Sequence, residues 1–166
     1  MAMEKTLEAL FHRTLKDIYY AEREVLKGLQ KMSRNASSPD LETAFSAHRE
    51  ETAGQIERLQ KIFELLGKRA QGKTCDAMEG LLAEGDEVIE NFKDQPALDA
   101  GLVATAQAIE HYEIARYGTL KAWADELGMT DASELLGQTL KEEIAADALL
   151  STLAGRRINH AAIAAE

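Results

Sequence analysis

Apolar residues recur at intervals of three and four along most of the chain, and this spacing places them on one face of an α-helix. Four long stretches show the pattern, over residues 4–33, 39–66, 96–127 and 132–154, and a shorter amphipathic stretch covers 75–92. Alternating apolar and polar residues, which are typical of strands, are hard to find. The sequence therefore predicts an all-α protein with four long helices and one short helix.

Prolines and glycines mark the expected helix boundaries. Ser37-Ser38-Pro39 is typical of an N-cap followed by proline at the first helical position, and Asp94-Gln95-Pro96 is predicted to begin a helix in the same way. Breaks are predicted at Gly67, Gly72 and Gly128.

The lengths of the links predict the topology. Short links after the first long helix and before the last make sequence neighbours antiparallel, whereas the long connection between the second and third allows a crossover. We expect one domain over residues 1–166, a four-helix bundle whose single long crossover carries the short helix. The tail after Arg157 is predicted to be frayed.

Composition narrows the class of protein. The chain has 166 residues, 45% of them hydrophobic, which is enough for a core of ordinary size. Its 29 acidic and 19 basic residues give a formal net charge of −10, and an acidic surface repels nucleic-acid phosphates. The single cysteine, Cys75, fits a reducing compartment, and neither a signal peptide nor a membrane span is recognisable. We expect a cytoplasmic protein that binds neither nucleic acid nor membranes.

Ionisable and amide side chains fall on the apolar faces, where leucine would be expected. On a helical wheel of about 100° per residue, each long helix carries at least one such residue near its middle. In chain order the inward-facing candidates are Glu22, His48, Thr52, Gln55, Glu113, Glu143 and Asp147. Glu51 and Glu110 lie at the edges of the faces of the second and third long helices.

Carboxylates in a bundle interior need neutralisation, because an isolated buried carboxylate costs several kcal/mol. No lysine or arginine is equally central, since Arg116 lies only at the edge of its helix face. Two divalent cations would match the five acids Glu22, Glu110, Glu113, Glu143 and Asp147. Oxygen-rich sites with little imidazole suit iron or manganese better than zinc. His48, Glu51 and Gln55 are further candidate ligands, and a metal-free hydrogen-bonded network is the alternative.

One further motif points elsewhere. Residues 67–74 match Gly-x-x-x-x-Gly-Lys-Thr, the phosphate-binding loop of nucleotide-binding proteins. That loop requires a preceding strand, and here the preceding residues have helical periodicity. A solvated basic turn is therefore favoured over a nucleotide site.

Five segments together resemble the ferritin-like superfamily of di-metal carboxylate bundles, and more closely the bacterial stress-associated proteins of the YciF/YciE type (DUF892 family). They are Asp17-Ile-Tyr-Tyr-Ala-Glu22, residues 48–59 beginning His48-Arg-Glu-Glu-Thr, residues 75–81, residues 110–120 beginning Glu110-His-Tyr-Glu, and Glu142-Glu-Ile-Ala-Ala-Asp147. The resemblance covers residues 4–158 and implies a homodimer, a candidate di-iron or di-manganese site in each bundle, and a role in stress response.

The chain departs from the ferritin pattern in its second and fourth long helices. Ferritin-type sites carry Glu-x-x-His there, and this sequence contains no Glu-x-x-His. We expect Glu113 and Glu143 as bridging ligands and Glu22 and Asp147 as terminal ligands, with His48 or Gln55 completing one side.

Three functions follow as hypotheses. The first is a di-metal protein of oxidoreductase type that reacts with peroxide or dioxygen, in a catalase-like or iron-oxidising cycle. The second is a non-catalytic dimeric helical protein whose carboxylates hold a structural ion or share protons. The third is iron storage, which requires a hollow multimer.

Overall fold

The computed structural model describes residues 5–163, and within that range every regular element is helical. The long helices are α1 (Leu7–Asn35), α2 (Pro39–Leu65), α4 (Leu98–Glu126) and α5 (Thr130–Leu153). The short helix α3 (Asp76–Phe92) lies between α2 and α4, and a π-helical segment (Ala154–Ile158) joins α5 to a final turn, α6 (Asn159–Ile163). The prediction of four long helices and one short helix is confirmed; the predicted start at Glu4 lies outside the described residues.

The start of α2 agrees with the sequence prediction. Ser38 is the N-cap, its hydroxyl accepts a hydrogen bond from the backbone N–H of Leu41 at 3.4 Å, and Pro39 is the first helical residue. Proline is favoured there because its missing N–H would have had no partner within the helix.

Two other helix ends differ from the prediction. The predicted start at Pro96 is wrong, because α4 begins at Leu98; Asp94 adopts a φ of 58° and the chain turns before the helix forms. The prediction of a frayed tail after Arg157 is also wrong as far as Ile163, and residues 164–166 lie outside the described residues. Helical structure continues through α6 because Ile158, only 4% exposed, is packed into the core.

The crossover runs the length of the bundle. Links of three residues join α1 to α2 and α4 to α5, so each of these pairs is antiparallel. The end of α2 lies beside the start of α1, where the rings of Phe63 and His12 pack edge to face. The start of α4 lies at the opposite end, where the Asp99 carboxylate accepts backbone N–H bonds from Ser37 and Ser38 at 2.8 and 2.7 Å. Residues 66–97 therefore carry the chain from one end to the other.

Helix α3 packs against α1 and α4. Glycines allow the close approach: a Cβ at Gly85 would lie 2.8 Å from Thr105, and one at Gly101 would lie 2.5 Å from Val88. These distances are shorter than ordinary side-chain contacts, so a larger residue at either position would push α3 and α4 apart.

The core fills the space between the four long helices, where α1 contacts α2 and α4, and α5 contacts α2 and α4. Near mid-bundle this apolar core gives way to buried polar side chains from all four helices. Within residues 5–163, no helix combines the length and the apolar content needed to cross a membrane.

Candidate metal centre

Five ionisable side chains from the four long helices meet in the bundle interior. Glu22, Glu113 and Glu143 are fully buried, Glu110 is 1% exposed and His48 is 7% exposed. Each occupies a position on the apolar face of its helix, so the packing that forms the core also brings these groups together.

Four of them converge on one small volume. His48, Glu110, Glu113 and Glu143 each place one potential ligand atom so that all four atoms lie within 4.8 Å of one another. The Nε2 atom of His48 lies 2.9 Å from Oε1 of Glu110 and 3.6 Å from Oε2 of Glu143. The first contact lacks the alignment of a hydrogen bond, so Nε2 has no partner. A nitrogen and several oxygens that face one another in this way form a donor set for a cation.

The other side of the His48 ring is held in place by α2 itself. Its Nδ1 lies 3.2 Å from Oε2 of Glu51, three residues further along the helix, and the Glu51 side chain is half-exposed. Glu51 therefore lies behind the imidazole, on the side away from the cluster. A carboxylate in this position fixes the tautomer and orientation of a ligating histidine.

Burial raises the pKa of every carboxyl group in the cluster. It raises the pKa of Glu22 to about 8, with the charge of Glu143 adding to the effect. It raises the pKa of Glu110 to about 7, and the pKa values of Glu113 and Glu143 lie well above the usual range for the same reason. Without a cation, burial thus favours the protonated, neutral form of each of these groups.

The buried oxygens lack donors. Six carboxylate oxygens are buried without a hydrogen-bond partner: both of Glu113, both of Glu143, and one each of Glu22 and Glu110. Among residues 5–163, no lysine or arginine forms a salt bridge with these four glutamates. Unpaired buried oxygens with a raised proton affinity are satisfied by protons or by metal ions, so the residues present fit a cation site.

Tyr117 closes the cluster on the side of α1. Its hydroxyl is fully buried and donates a hydrogen bond to Oε1 of Glu22. Burial and the nearby Glu22 carboxylate keep the pKa of Tyr117 well above its usual 10, so the phenol remains a donor. Because this bond opposes the effect of burial on the Glu22 pKa, Tyr117 stabilises the charged form of Glu22.

Two of the candidate ligands point to other partners. Gln55 is fully buried; its amide nitrogen donates to Oε2 of Glu142 at 3.1 Å, and its Oε1 has no partner. Asp147 accepts a hydrogen bond from Gln107 at 3.1 Å and lies 3.2 Å from Nε2 of His111, outside the four-residue cluster.

Sequence reasoning overlooked an ion pair beside the cluster. Arg58 binds Glu142 through both terminal nitrogens, at 2.8 and 2.5 Å, and also donates to Thr139 at 3.1 Å. This pair joins α2 to α5 and holds Glu142 against Gln55. The sequence spacing does place Arg58 on the same helix face as Gln55, because the two residues are three positions apart.

The fold and the cluster together define a class: an all-α, ferritin-like four-helix bundle with buried carboxylates contributed by each long helix. The chain belongs to the family described as Domain of unknown function (DUF892), whose model matches residues 6–163.

Relatives in this family share both sequence and structure with the chain. Protein YciF of Escherichia coli K12 is 45% identical over 156 residues, which are 93% of this chain and 94% of that protein. The crystal structure of YciF, described as a stress protein, aligns with a TM-score of 0.89 over 94% of this chain and 99% of YciF, at 44% identity. YcfI of Rhodopseudomonas palustris aligns with a TM-score of 0.88 at 47% identity, over 92% of this chain and 98% of that one.

Proposed function

We propose that this protein is a di-metal carboxylate protein that binds two divalent ions, iron or manganese, and reacts with peroxide or dioxygen during stress. The observation that carries the proposal is the group of six buried carboxylate oxygens without donors, together with the unpartnered Nε2 of His48 beside Glu110 and Glu143. Oxygen-rich donor sets with one imidazole favour iron or manganese over zinc. The relationship to the stress protein YciF supports the stress role.

The chain offers donors for two neighbouring ions. His48, Glu110, Glu113 and Glu143 would hold one ion. Glu22, whose carboxyl group touches that of Glu113, would extend the site toward α1, leaving Glu113 and Glu143 as the bridging ligands.

Two further candidates would complete the ligand set. The free Oε1 of Gln55 is available on the side of α2. Asp147 would serve as a terminal ligand only after its side chain leaves Gln107 and His111.

Two redox-active ions held by these residues would supply two electrons, which with two protons suffice to reduce one peroxide to two water molecules or one dioxygen to peroxide. The surrounding residues position and protect the site. Glu51 orients His48, and Tyr117 donates to Glu22. The burial of every glutamate in the cluster limits the access of bulk water. Because burial raises the pKa values of these glutamates, metal must displace their protons, and its binding releases protons.

The metal content of the purified protein tests the proposal. Protein from cells grown with added iron or added manganese should contain between one and two equivalents of metal per chain. Glu113→Ala and Glu143→Ala should abolish binding, while Glu24→Ala, whose carboxylate pairs with Lys27 outside the cluster, should retain it. Circular dichroism would establish that each variant is folded. Less than about 0.2 metal per chain in both preparations would refute the proposal.

A second candidate is a non-catalytic helical protein, and one observation favours it. Contacts between the carboxyl groups of Glu110 and Glu143, with their raised pKa values, can be maintained by shared protons alone. Metal analysis decides between the two, and a peroxide-consumption assay on loaded protein then separates an enzyme from a protein with a structural ion.

The oligomeric state separates these candidates from iron storage. We expect a homodimer in the cytoplasm, and light scattering after gel filtration gives the mass. A 12- or 24-chain assembly would support storage, whereas a dimer would argue against it.

A further inference from the structure

An apolar pocket lies between α2 and α5 and ends at the metal centre. Its volume is about 150 Å³, and all four long helices contribute to its lining. Ala47 and Ala145 lie at its exposed mouth, whereas Phe45, Ala106 and Leu150 are buried in its floor. At its inner end are His48 and Glu110, two buried residues with polar atoms that have no hydrogen-bond partner.

The pocket is larger than an oxidant requires. A water molecule occupies about 30 Å³ in the liquid, and dioxygen and peroxide each have only two heavy atoms. A cavity of about 150 Å³ lined by aliphatic and aromatic side chains is large enough to hold benzene and binds water weakly. The size and the lining are therefore those of a site for an organic molecule.

We propose that this pocket binds a small uncharged apolar molecule, about the size of one six-membered ring, with one end against His48 and Glu110. The inference deepens the proposed function, on which it rests for its biological meaning, because it adds an organic substrate or effector to the same centre. The shape of the cleft limits the size of the molecule, since α2 and α5 bound it on opposite sides.

The lining of the pocket selects against anions. Among the described residues that line it, the ionisable ones are His48, Glu51 and Glu110, and none is a lysine or an arginine. In the metal-free protein a carboxylate ligand would lose its hydration to the apolar walls, beside the Glu51 carboxylate and without a compensating lysine or arginine. Phenol and benzoate, which share a ring and differ in charge, therefore make a matched pair of probes.

Titration calorimetry of phenol into the full-length protein, with and without bound metal, tests the inference. We expect one phenol per chain in both forms, with benzoate binding at least about tenfold more weakly to the metal-free protein. Ala146→Leu places three extra carbon atoms in the pocket wall and should weaken phenol binding by about tenfold or more. Ala148→Leu, on the same helix but exposed and outside the pocket, should change it by less than about twofold. Ala44→Leu fills the pocket from α2 and should act like Ala146→Leu, so the test survives if either variant fails to fold.

Several outcomes would overturn the inference. These are the absence of phenol binding, equal binding of phenol and benzoate to the metal-free protein, or unchanged phenol binding in both filled variants. A change of oligomeric mass in the filled variants, without loss of phenol binding, would instead assign the cleft to contact with a second copy of the chain. Phenol binding by a protein that takes up no metal would refute the di-metal function and leave the pocket in place; metal binding without phenol binding would do the reverse.

Discussion

The substitution Glu110→Gln in the metal-free protein tests the electrostatic account of the cluster. Burial raises the pKa of Glu110 to about 7 in the folded chain, against an ordinary 4.5. The folded state therefore binds the Glu110 proton more tightly than the unfolded state does, and stability falls as pH rises between these two values. The contribution of the neutral acid is complete below about pH 4.5 and is lost as pH rises through about 7.

The size of this effect follows from the two pKa values. Their difference corresponds to about 3 kcal/mol of unfolding free energy. Glutamine is neutral at every pH, so Glu110→Gln removes this loss. Relative to the parent protein, the variant should therefore gain up to about 3 kcal/mol between pH 5 and pH 8. Glu22, whose pKa is raised to about 8, adds a further loss to both proteins.

Urea unfolding of protein treated with chelator, at pH 5, 6, 7 and 8, measures the prediction. Glu24→Gln is the control, because its carboxylate pairs with the exposed Lys27 outside the cluster; it should change stability by less than about 0.5 kcal/mol at each pH. The reasoning fails if the stability of the parent rises or stays constant over this range. It also fails if Glu110→Gln shifts stability equally at pH 5 and pH 8.

Two further substitutions test the contact between Tyr117 and the cluster and the close packing of α3 on α4. Tyr117→Phe removes the hydroxyl that donates to Glu22 and should lower the unfolding free energy by about 1–3 kcal/mol at pH 9 and by less at pH 6, as measured by urea unfolding. Gly101→Ala brings a methyl group 2.5 Å from Val88 and should lower the melting temperature, whereas Gly118→Ala on the same helix has open space and should stabilise by up to about 1 kcal/mol. Equal melting temperatures for the two alanine variants would contradict the close packing of α3.

Much of the fold could be predicted because each long helix must bury one apolar face. The same constraint identified the positions of Glu22, His48, Glu113 and Glu143, since a polar residue in a leucine position of a bundle is enclosed on all sides. Glu110, predicted only at the edge of a face, is as buried as the others. A neighbouring helix covers the edge of the face on which Glu110 lies. A helical wheel of one helix does not include its neighbours, so it underestimates the burial of such edge positions.

The remaining features depend on contacts between distant residues. Asp147 shares a face with Glu143, yet Gln107 and His111 on α4 engage its carboxylate, and sequence spacing on α5 contains no information about that contact. The start of α4 differs from the prediction because Asp94 adopts a left-handed φ. The preference of proline for the first turn of a helix contains no information about the conformation of that residue. The tail was misjudged because one residue, Ile158, anchors it.

Asp99 sets the axial register of the bundle. By accepting the N–H groups of Ser37 and Ser38, its carboxylate fixes how far α4 extends along the α1–α2 pair. Glu113 lies fourteen residues further along α4, about 21 Å away along the helix axis. A slip of one turn, about 5.4 Å, would break both hydrogen bonds and carry Glu113 out of level with Glu22 on α1. Two hydrogen bonds in the α1–α2 link, at one end of the molecule, therefore help to keep the carboxylates at its centre at the same height.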